Sequence, residues 1–142
     1  MRRVYELGPD LVSVGIRSLE REEADFIEAE KIKVFPGWNF SGEDYPWTEV
    51  AAAVGERVYL TIDLDVFDPS EVPGVGTPEP GGLRWRQALD LFRALRDAGT
   101  TLAGADLVEL CPREGSIISE FYAARLLYKL IGYFFGPEKE LS

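Results

Sequence analysis

The sequence contains no histidine and only one cysteine. Without imidazole, this chain cannot build Ser-His-Asp or Cys-His nucleophile systems or a zinc site with histidine ligands. A single cysteine excludes an intrachain disulfide framework and favours a reducing compartment, so we expect a cytoplasmic protein. No apolar run has the length that crosses a bilayer, and the opening MRRVYELGPD lacks the apolar centre of a signal peptide. We therefore expect no membrane partner.

Basic charge is also scarce. Fifteen Lys and Arg residues oppose 25 Asp and Glu residues, for a net charge of -10. A nucleic-acid partner is disfavoured because it needs a basic footprint, whereas a metal cation or a cationic small molecule suits the negative field. The 142 residues are 46% hydrophobic, which predicts a single folded domain over residues 1–142.

Strand and helix patterns alternate along the chain. We predict strands at 11–16, 33–36, 57–63 and 101–110, and helices at 19–32 (capped by Ser18), 47–54, 83–98 and 116–135. The intervening stretches 37–46 and 67–82 are expected to be irregular. This order predicts an α/β fold with three αβα layers around a parallel sheet.

The last predicted helix is apolar almost all round, interrupted by Glu120, Arg125 and Lys129. A surface helix has one apolar stripe, so this helix needs cover on more than one side. Two interpretations stay open at this point. Either the helix is well buried in the core, or it has lost a partner surface.

The segment TIDLDVFDPSEVPGVGTPEPGGL, residues 61–83, contains the most informative chemistry. Alternation along a strand points Asp63 and Asp65 the same way at its carboxyl end, where open α/β sheets bind ligands. Two close carboxylates repel each other and suit Mg, Ca or Mn. The alternative is that one aspartate caps the turn and the other is solvated. Asp68, before Pro69, is expected to form a turn.

This segment resembles the third signature of the ureohydrolase family, the arginases, agmatinases and their relatives. The pattern SxDxDxxDPxxxPGxGTPxxGGL matches up to Leu83, with Thr61 where serine is usual. Three further stretches are similar to family members: VGIRSLEREEADF (14–26), GADLVELCP (104–112) and AARLLYKLIGY (123–133). The resemblance covers nearly the whole chain, but only the C-terminal half of a typical member. It implies an arginase-like fold that is incomplete.

The resemblance implies a hydrolase with two Mn ions that releases urea and an amine. By position, Asp63 would bridge both metals and Asp65 would bind one. Glu109 would hold the cationic guanidino substrate, since a guanidinium pairs well with a carboxylate. The residues alone favour an exposed strand-end carboxylate for Glu109 and a hydrogen-bond acceptor for Asp106. No residue of this chain is assigned as catalytic, and we interpret Cys111 as a packing residue.

The chain also departs from the family. The earlier GGDHS and DAHxD signatures, which supply imidazoles and further carboxylates, are absent. We therefore expect the C-terminal part of an agmatinase-like enzyme, inactive alone, which forms a homo-oligomer or joins a separate N-terminal half. Agmatine, cleaved to putrescine and urea, is the preferred substrate; arginine, guanidinobutyrate and formimidoylglutamate stay open. The alternative is a noncatalytic ureohydrolase-like module, and a zinc deacetylase is a poor third.

Overall fold

The structure is a computed structural model that describes residues 2–40 and 45–136. Helices and strands alternate as the sequence predicts from residue 12 onward, after a short first helix that was not predicted. The helices are α1 (Arg2–Tyr5), α2 (Arg21–Ala29), α3 (Trp47–Ala53), α4 (Trp85–Asp97) and α5 (Ile118–Phe135). The strands are β1 (Val12–Val14), β2 (Lys33–Phe35), β3 (Arg57–Asp63) and β4 (Thr101–Val108). None of the described helices is long and apolar enough to traverse a membrane.

All strand pairing between these strands is parallel, which confirms the α/β class. β1 pairs with β2, and β3 pairs with β4 so that Asp63 lies opposite Val108. The expectation of one continuous sheet is not met within the described residues, because they form two separate two-stranded sheets. β1 is only three residues long, and the Arg17 side chain instead connects the chain just after β1 to the segment after β3.

The core lies where α4 and α5 pack beside the β3–β4 sheet. The largest fully buried side chains are Phe67, Phe92, Leu64, Leu126, Val50 and Val72. α4 has a single apolar stripe of Ala88, Leu89, Phe92 and Leu95. Burying a Phe or Leu side chain of this kind stabilises a fold by about 1.5–3 kcal/mol, so this stripe anchors the chain between β3 and β4.

Helix α5 buries one side and leaves the other open. The buried side consists of Ser119, Ala123, Leu126, Leu130 and Tyr133. The open side begins at Ile117, just before the helix, and has exposed fractions of 56–74%: Ile117, Ile118, Phe121, Tyr128, Ile131 and Phe135. The interpretation of a fully buried core helix is therefore wrong, and the described residues leave an apolar surface uncovered.

Two local expectations need correction. Ser18 does not cap α2, because the helix begins at Arg21 and the amide of Glu20 donates to the Glu23 carboxylate at 3.1 Å. That carboxylate at the third helical position satisfies an otherwise unpaired amide. Part of the stretch expected to be irregular forms a 3-10 helix, Gly37–Phe40. Residues 41–44 of that stretch lie outside the described residues.

Candidate functional site

Asp63 is the last residue of β3, and Asp65 lies in a 3-10 turn, Leu64–Val66. Leu64 is fully buried and fixes this turn to the core. The Asp63 Oδ1 atom accepts a hydrogen bond from the Asp65 amide at 2.9 Å. Asp65 is therefore not on the strand, so the alternation argument for its direction was wrong. The structure nevertheless places both aspartates in the wall of one cleft.

The two carboxylate oxygens of Asp65 have different surroundings. Oδ2 accepts a hydrogen bond from the Thr77 hydroxyl. Oδ1 is buried and has no hydrogen-bond partner among the described residues. A buried carboxylate oxygen without a donor is costly, because it has lost its water and gained nothing in return. A cation would remove that cost, so the chemistry of this pair fits a metal ion.

The ionisation of Asp63 also favours a cation. Burial raises the pKa of its carboxyl above the ordinary value, the Asp65 amide lowers it, and the negative charge of Asp65 raises it again. The net effect is that the pKa of Asp63 is raised, so its ionised form is disfavoured beside the negative charge of Asp65. A divalent cation between them would favour the ionised form of both. Within residues 2–40 and 45–136, however, no group of three or more Asp, Glu or Cys side chains could enclose a metal.

The cleft that contains the two aspartates has a volume of about 390 Å³. Its walls come from three parts of the chain. The first is residues 14–18, from the last residue of β1 onward; the second is Asp63, Asp65 and Val66; the third is Thr77 and Glu79. A cleft of this size admits a small organic cation together with water.

The Gly/Pro-rich loop after β3 is held in shape by Asp68. Its carboxylate accepts hydrogen bonds from the amide of Ser70 at 3.0 Å and the amide of Gly81 at 2.9 Å. The hydroxyl of Ser70 donates to it as well, and these donors lower the pKa of Asp68 to about 2. The sequence prediction of a turn-forming aspartate is confirmed. Asp68 thereby sets the path of the loop that leads through Thr77.

Glu109 directly follows β4, at the strand end that neighbours Asp63, as predicted. Its backbone lies in the left-handed region with φ of 63°, which is unusual for a residue other than glycine. Its side chain is exposed and approaches the loop, since a Cβ placed on Gly76 would lie 3.9 Å from Glu109 Oε2. Glu109 does not line the cleft described above, so its substrate-binding role stays a prediction.

Asp106 is a hydrogen-bond acceptor, as predicted. The hydroxyls of Tyr59 and Thr61 donate to its two carboxylate oxygens at 3.0 Å and 2.6 Å. This polar pairing lies on the face of the β3–β4 sheet that includes Asp63. The interpretation of Cys111 as a packing residue is wrong, because its side chain is exposed. Its main-chain amide donates to the Gly74 carbonyl at 2.9 Å.

Sequence reasoning missed two side chains of the cleft that hold Asp65 in place, Thr77 and Arg17. Thr77 lies inside the 61–83 signature and Arg17 inside the 14–26 stretch, so the resemblance drew attention to both segments. Neither residue type signals a metal site. Thr77 proves to be the donor to Asp65, and Arg17 proves to join the cleft walls through main-chain carbonyls.

This fold matches that of a known protein family. The model of the Arginase family matches residues 1–132, so the chain belongs to the Arginase family. The resemblance seen in the sequence is confirmed.

Individual relatives agree with this membership. The chain is 48% identical over 136 residues to the N(1)-aminopropylagmatine ureohydrolase of Synechocystis sp., covering 94% of this chain and 44% of that protein. It is 40% identical over 117 residues to the agmatinase of Bacillus cereus, covering 79% of this chain and 38% of that protein. The agmatine ureohydrolase of Thermoplasma volcanium superposes with a TM-score of 0.80 at 29% identity, covering 99% of this chain and 48% of that structure. The chain thus spans less than half the length of these relatives.

Proposed function

We propose that this chain supplies part of the metal and substrate site of a ureohydrolase that acts on a guanidino-amine. The observation that supports the proposal most is the Asp63–Asp65 pair, in which one buried oxygen of Asp65 has no donor within the described residues. Asp63 and Asp65 would hold Mn²⁺, the ion that carboxylates and family membership favour. Family members' remaining ligands would come from sequence outside this chain.

The reaction adds water to the guanidinium carbon and breaks the bond from that carbon to the alkyl-substituted nitrogen. The products are urea and an amine that leaves with a proton, so atoms and charge balance. Two Mn²⁺ ions, when bound, would lower the pKa of a water molecule and stabilise the negative charge that develops in the reaction. This chain's own contribution is to fix the two carboxylates and to direct Glu109 toward the substrate cation.

Glu109 suits the task of orienting a guanidinium. A carboxylate accepts two parallel N–H bonds from the planar fork of a guanidinium, which sets the angle of the reacting carbon. The left-handed backbone at φ of 63° turns the chain sharply where β4 ends. Strain of this kind persists where the surroundings hold it, and it is concentrated at functional sites.

The names of the relatives support agmatine or its N1-aminopropyl derivative as the substrate. Four relatives that are 37–48% identical are N(1)-aminopropylagmatine ureohydrolases, and agmatinases are 32–40% identical. Both compounds are polycations and complement a chain with a net charge of -10. The sequence-based preference for agmatine therefore widens to include aminopropylagmatine.

A chimera tests this proposal. The N-terminal portion of the Synechocystis relative, joined to this chain in place of its own C-terminal portion, would complete the site. With Mn²⁺ we expect urea release from agmatine or aminopropylagmatine, and loss of about 10³-fold or more in Asp63→Asn. Asp97→Asn, an exposed aspartate of α4, is the matched control and should retain full activity. A folded, Mn²⁺-loaded chimera that releases no urea would refute the proposal.

A second candidate is a noncatalytic module that binds a partner. The open apolar side of α5, with Phe121 and Tyr128 each 65% exposed, favours it. The same chimera separates the two candidates, because a noncatalytic module gives a folded assembly in which Asp63→Asn changes nothing.

A further inference from the structure

The guanidinium of Arg17 binds main-chain carbonyls from three separate segments. Nη1 donates to Gly15 at 3.2 Å and to Val66 at 2.9 Å. Nη2 donates to Asp65 at 2.7 Å and to Glu79 at 2.9 Å. Arg17 lies in the cleft wall with Asp63 and Asp65, and it forms no ion pair with a carboxylate in the described part of the chain. The four hydrogen bonds of its guanidinium therefore all hold main-chain carbonyls in place.

These bonds act on Asp65 from two directions. Two of them hold the carbonyls of Asp65 and Val66, which fixes the short 3-10 turn that carries the Asp65 side chain. A third holds Glu79, in the loop that also carries Thr77, the donor to Asp65 Oδ2. The backbone of Asp65 and the support of its carboxylate thus depend on the same guanidinium.

Gly37 shapes the space that Arg17 occupies. A Cβ at Gly37 would lie 2.5 Å from Arg17 Cγ and 2.8 Å from the Gly15 carbonyl oxygen. Both contacts are too short for real atoms, so either the Arg17 stem or the end of β1 would have to move. An alanine at this position therefore disturbs Arg17 without removing any charge or hydrogen-bonding group.

We infer that Arg17 is a positioning residue that fixes Asp65 and the loop bearing Thr77 as one wall of the cleft, and so sets the metal affinity of the site. Its role in metal binding rests on the function proposed above. Arginine suits this task because its planar fork presents five N–H donors, whereas lysine has one compact ammonium that cannot reach the same carbonyls together. Removing the support of a metal ligand typically weakens metal binding by about 10–100-fold.

The test uses the 142-residue chain and two pairs of variants. Arg17→Lys is compared with Arg86→Lys, on the exposed surface of α4. Gly37→Ala is compared with Gly55→Ala, where an added Cβ meets no atom within 4 Å. Mn²⁺ affinity is measured by electron paramagnetic resonance of free Mn²⁺, and amide hydrogen exchange is followed over 64–67 and 77–83. Melting temperatures show which variants remain folded, and Gly37→Ala decides the matter if Arg17→Lys unfolds.

We expect Arg17→Lys and Gly37→Ala to bind Mn²⁺ about 10–100-fold more weakly than the wild type and to exchange faster in both segments. Both control variants should match the wild type. Wild-type affinity and exchange in folded Arg17→Lys and Gly37→Ala would overturn the inference. If the wild type takes up no Mn²⁺, the metal part of the proposed function fails, and the exchange rates still decide whether Arg17 fixes the wall.

Discussion

The main-chain amide of Asp65 donates a hydrogen bond to the carboxylate of Asp63 at 2.9 Å, so the first aspartate fixes the backbone of the second. This bond ends β3 and starts the turn that brings both carboxylates into one cleft. The DxD spacing therefore both shapes the backbone and places two carboxylates in one cleft.

Removing the charge of Asp63 should stabilise the metal-free chain. Burial and the charge of Asp65 raise the pKa of Asp63, so its ionised form is disfavoured in the folded state. A raised carboxyl pKa contributes stability below the unfolded-state pKa, and that stability is lost as pH rises through the folded-state value. At pH 7 we therefore expect Asp63→Asn to melt about 1–4 °C higher than the wild type without metal. Calorimetry in chelator checks this, and a lower melting temperature would contradict it.

Asp68 should stabilise the fold at neutral pH and lose this effect in acid, which is the reverse of Asp63. Its pKa is lowered from 3.8 to about 2 by Ser70 and Gly81, so its contribution is present above pH 4 and is lost as pH falls toward 2. Because solvent screens this partly exposed carboxylate, we expect Asp68→Asn to cost only about 0.5–1 kcal/mol at pH 7, with a deficit that shrinks below pH 4.

Urea denaturation at several pH values measures this difference. Asp25→Asn, on the exposed surface of α2, is the matched control and should leave stability nearly unchanged. A deficit for Asp68→Asn that stays constant between pH 7 and pH 2.5 would show that its charge is not the cause.

Glycine at position 109 should stabilise the chain while removing the proposed substrate ligand. Glu109 has φ of 63°, and a left-handed backbone costs a residue with a side chain about 1–2 kcal/mol. Glycine avoids that cost but loses more entropy on folding, so we expect a net gain of about 0.5–1 kcal/mol for Glu109→Gly.

Lys31 provides the matched control, since its φ is 54° and it lies beyond the end of α2, away from the site. Lys31→Gly should give a similar gain in stability. In the active chimera, Glu109→Gly should greatly raise KM for the guanidino substrate and Lys31→Gly should not. Equal kinetics for the two variants would exclude Glu109 from substrate binding.

The open side of α5 predicts that the chain does not stay monomeric. Phe121 and Tyr128 are each 65% exposed on a helix whose other side is already buried. We expect light scattering over a dilution series to show self-association, and Phe121→Glu with Tyr128→Glu to shift it to monomer. Arg86→Glu on α4 controls for the change in charge. A wild-type monomer of 15.9 kDa at high concentration would contradict this prediction.

The sequence predicted the elements well where periodicity is strong. β3 was predicted at its observed bounds, and α4 differs by at most two residues, because its apolar stripe repeats at helical spacing. The prediction that Ser18 caps α2 was wrong because Ser18 and Glu23 both have side-chain oxygens near the start of the helix. Only the fold decides which of them accepts the free amide.

The candidate site was predicted in part for a related reason. Asp63 and Asp65 carry a recognisable spacing, so a local pattern was enough to single them out. Arg17 acts on carbonyls of Asp65 and Glu79, and carbonyls are present in every residue, so no pattern of residue types reveals such contacts. The left-handed backbone of Glu109 was missed likewise, since the sequence offers no glycine there.

The most direct measurement is a titration of the 142-residue chain with Mn²⁺, observed by electron paramagnetic resonance. Two carboxylates are only part of a binuclear shell, so we expect weak binding that competes with protons as pH falls. Asp65→Asn should abolish this binding, and Asp97→Asn should leave it unchanged. Binding that is equally strong in wild type and Asp65→Asn, or no binding to the wild type at all, would contradict the assignment of this metal site.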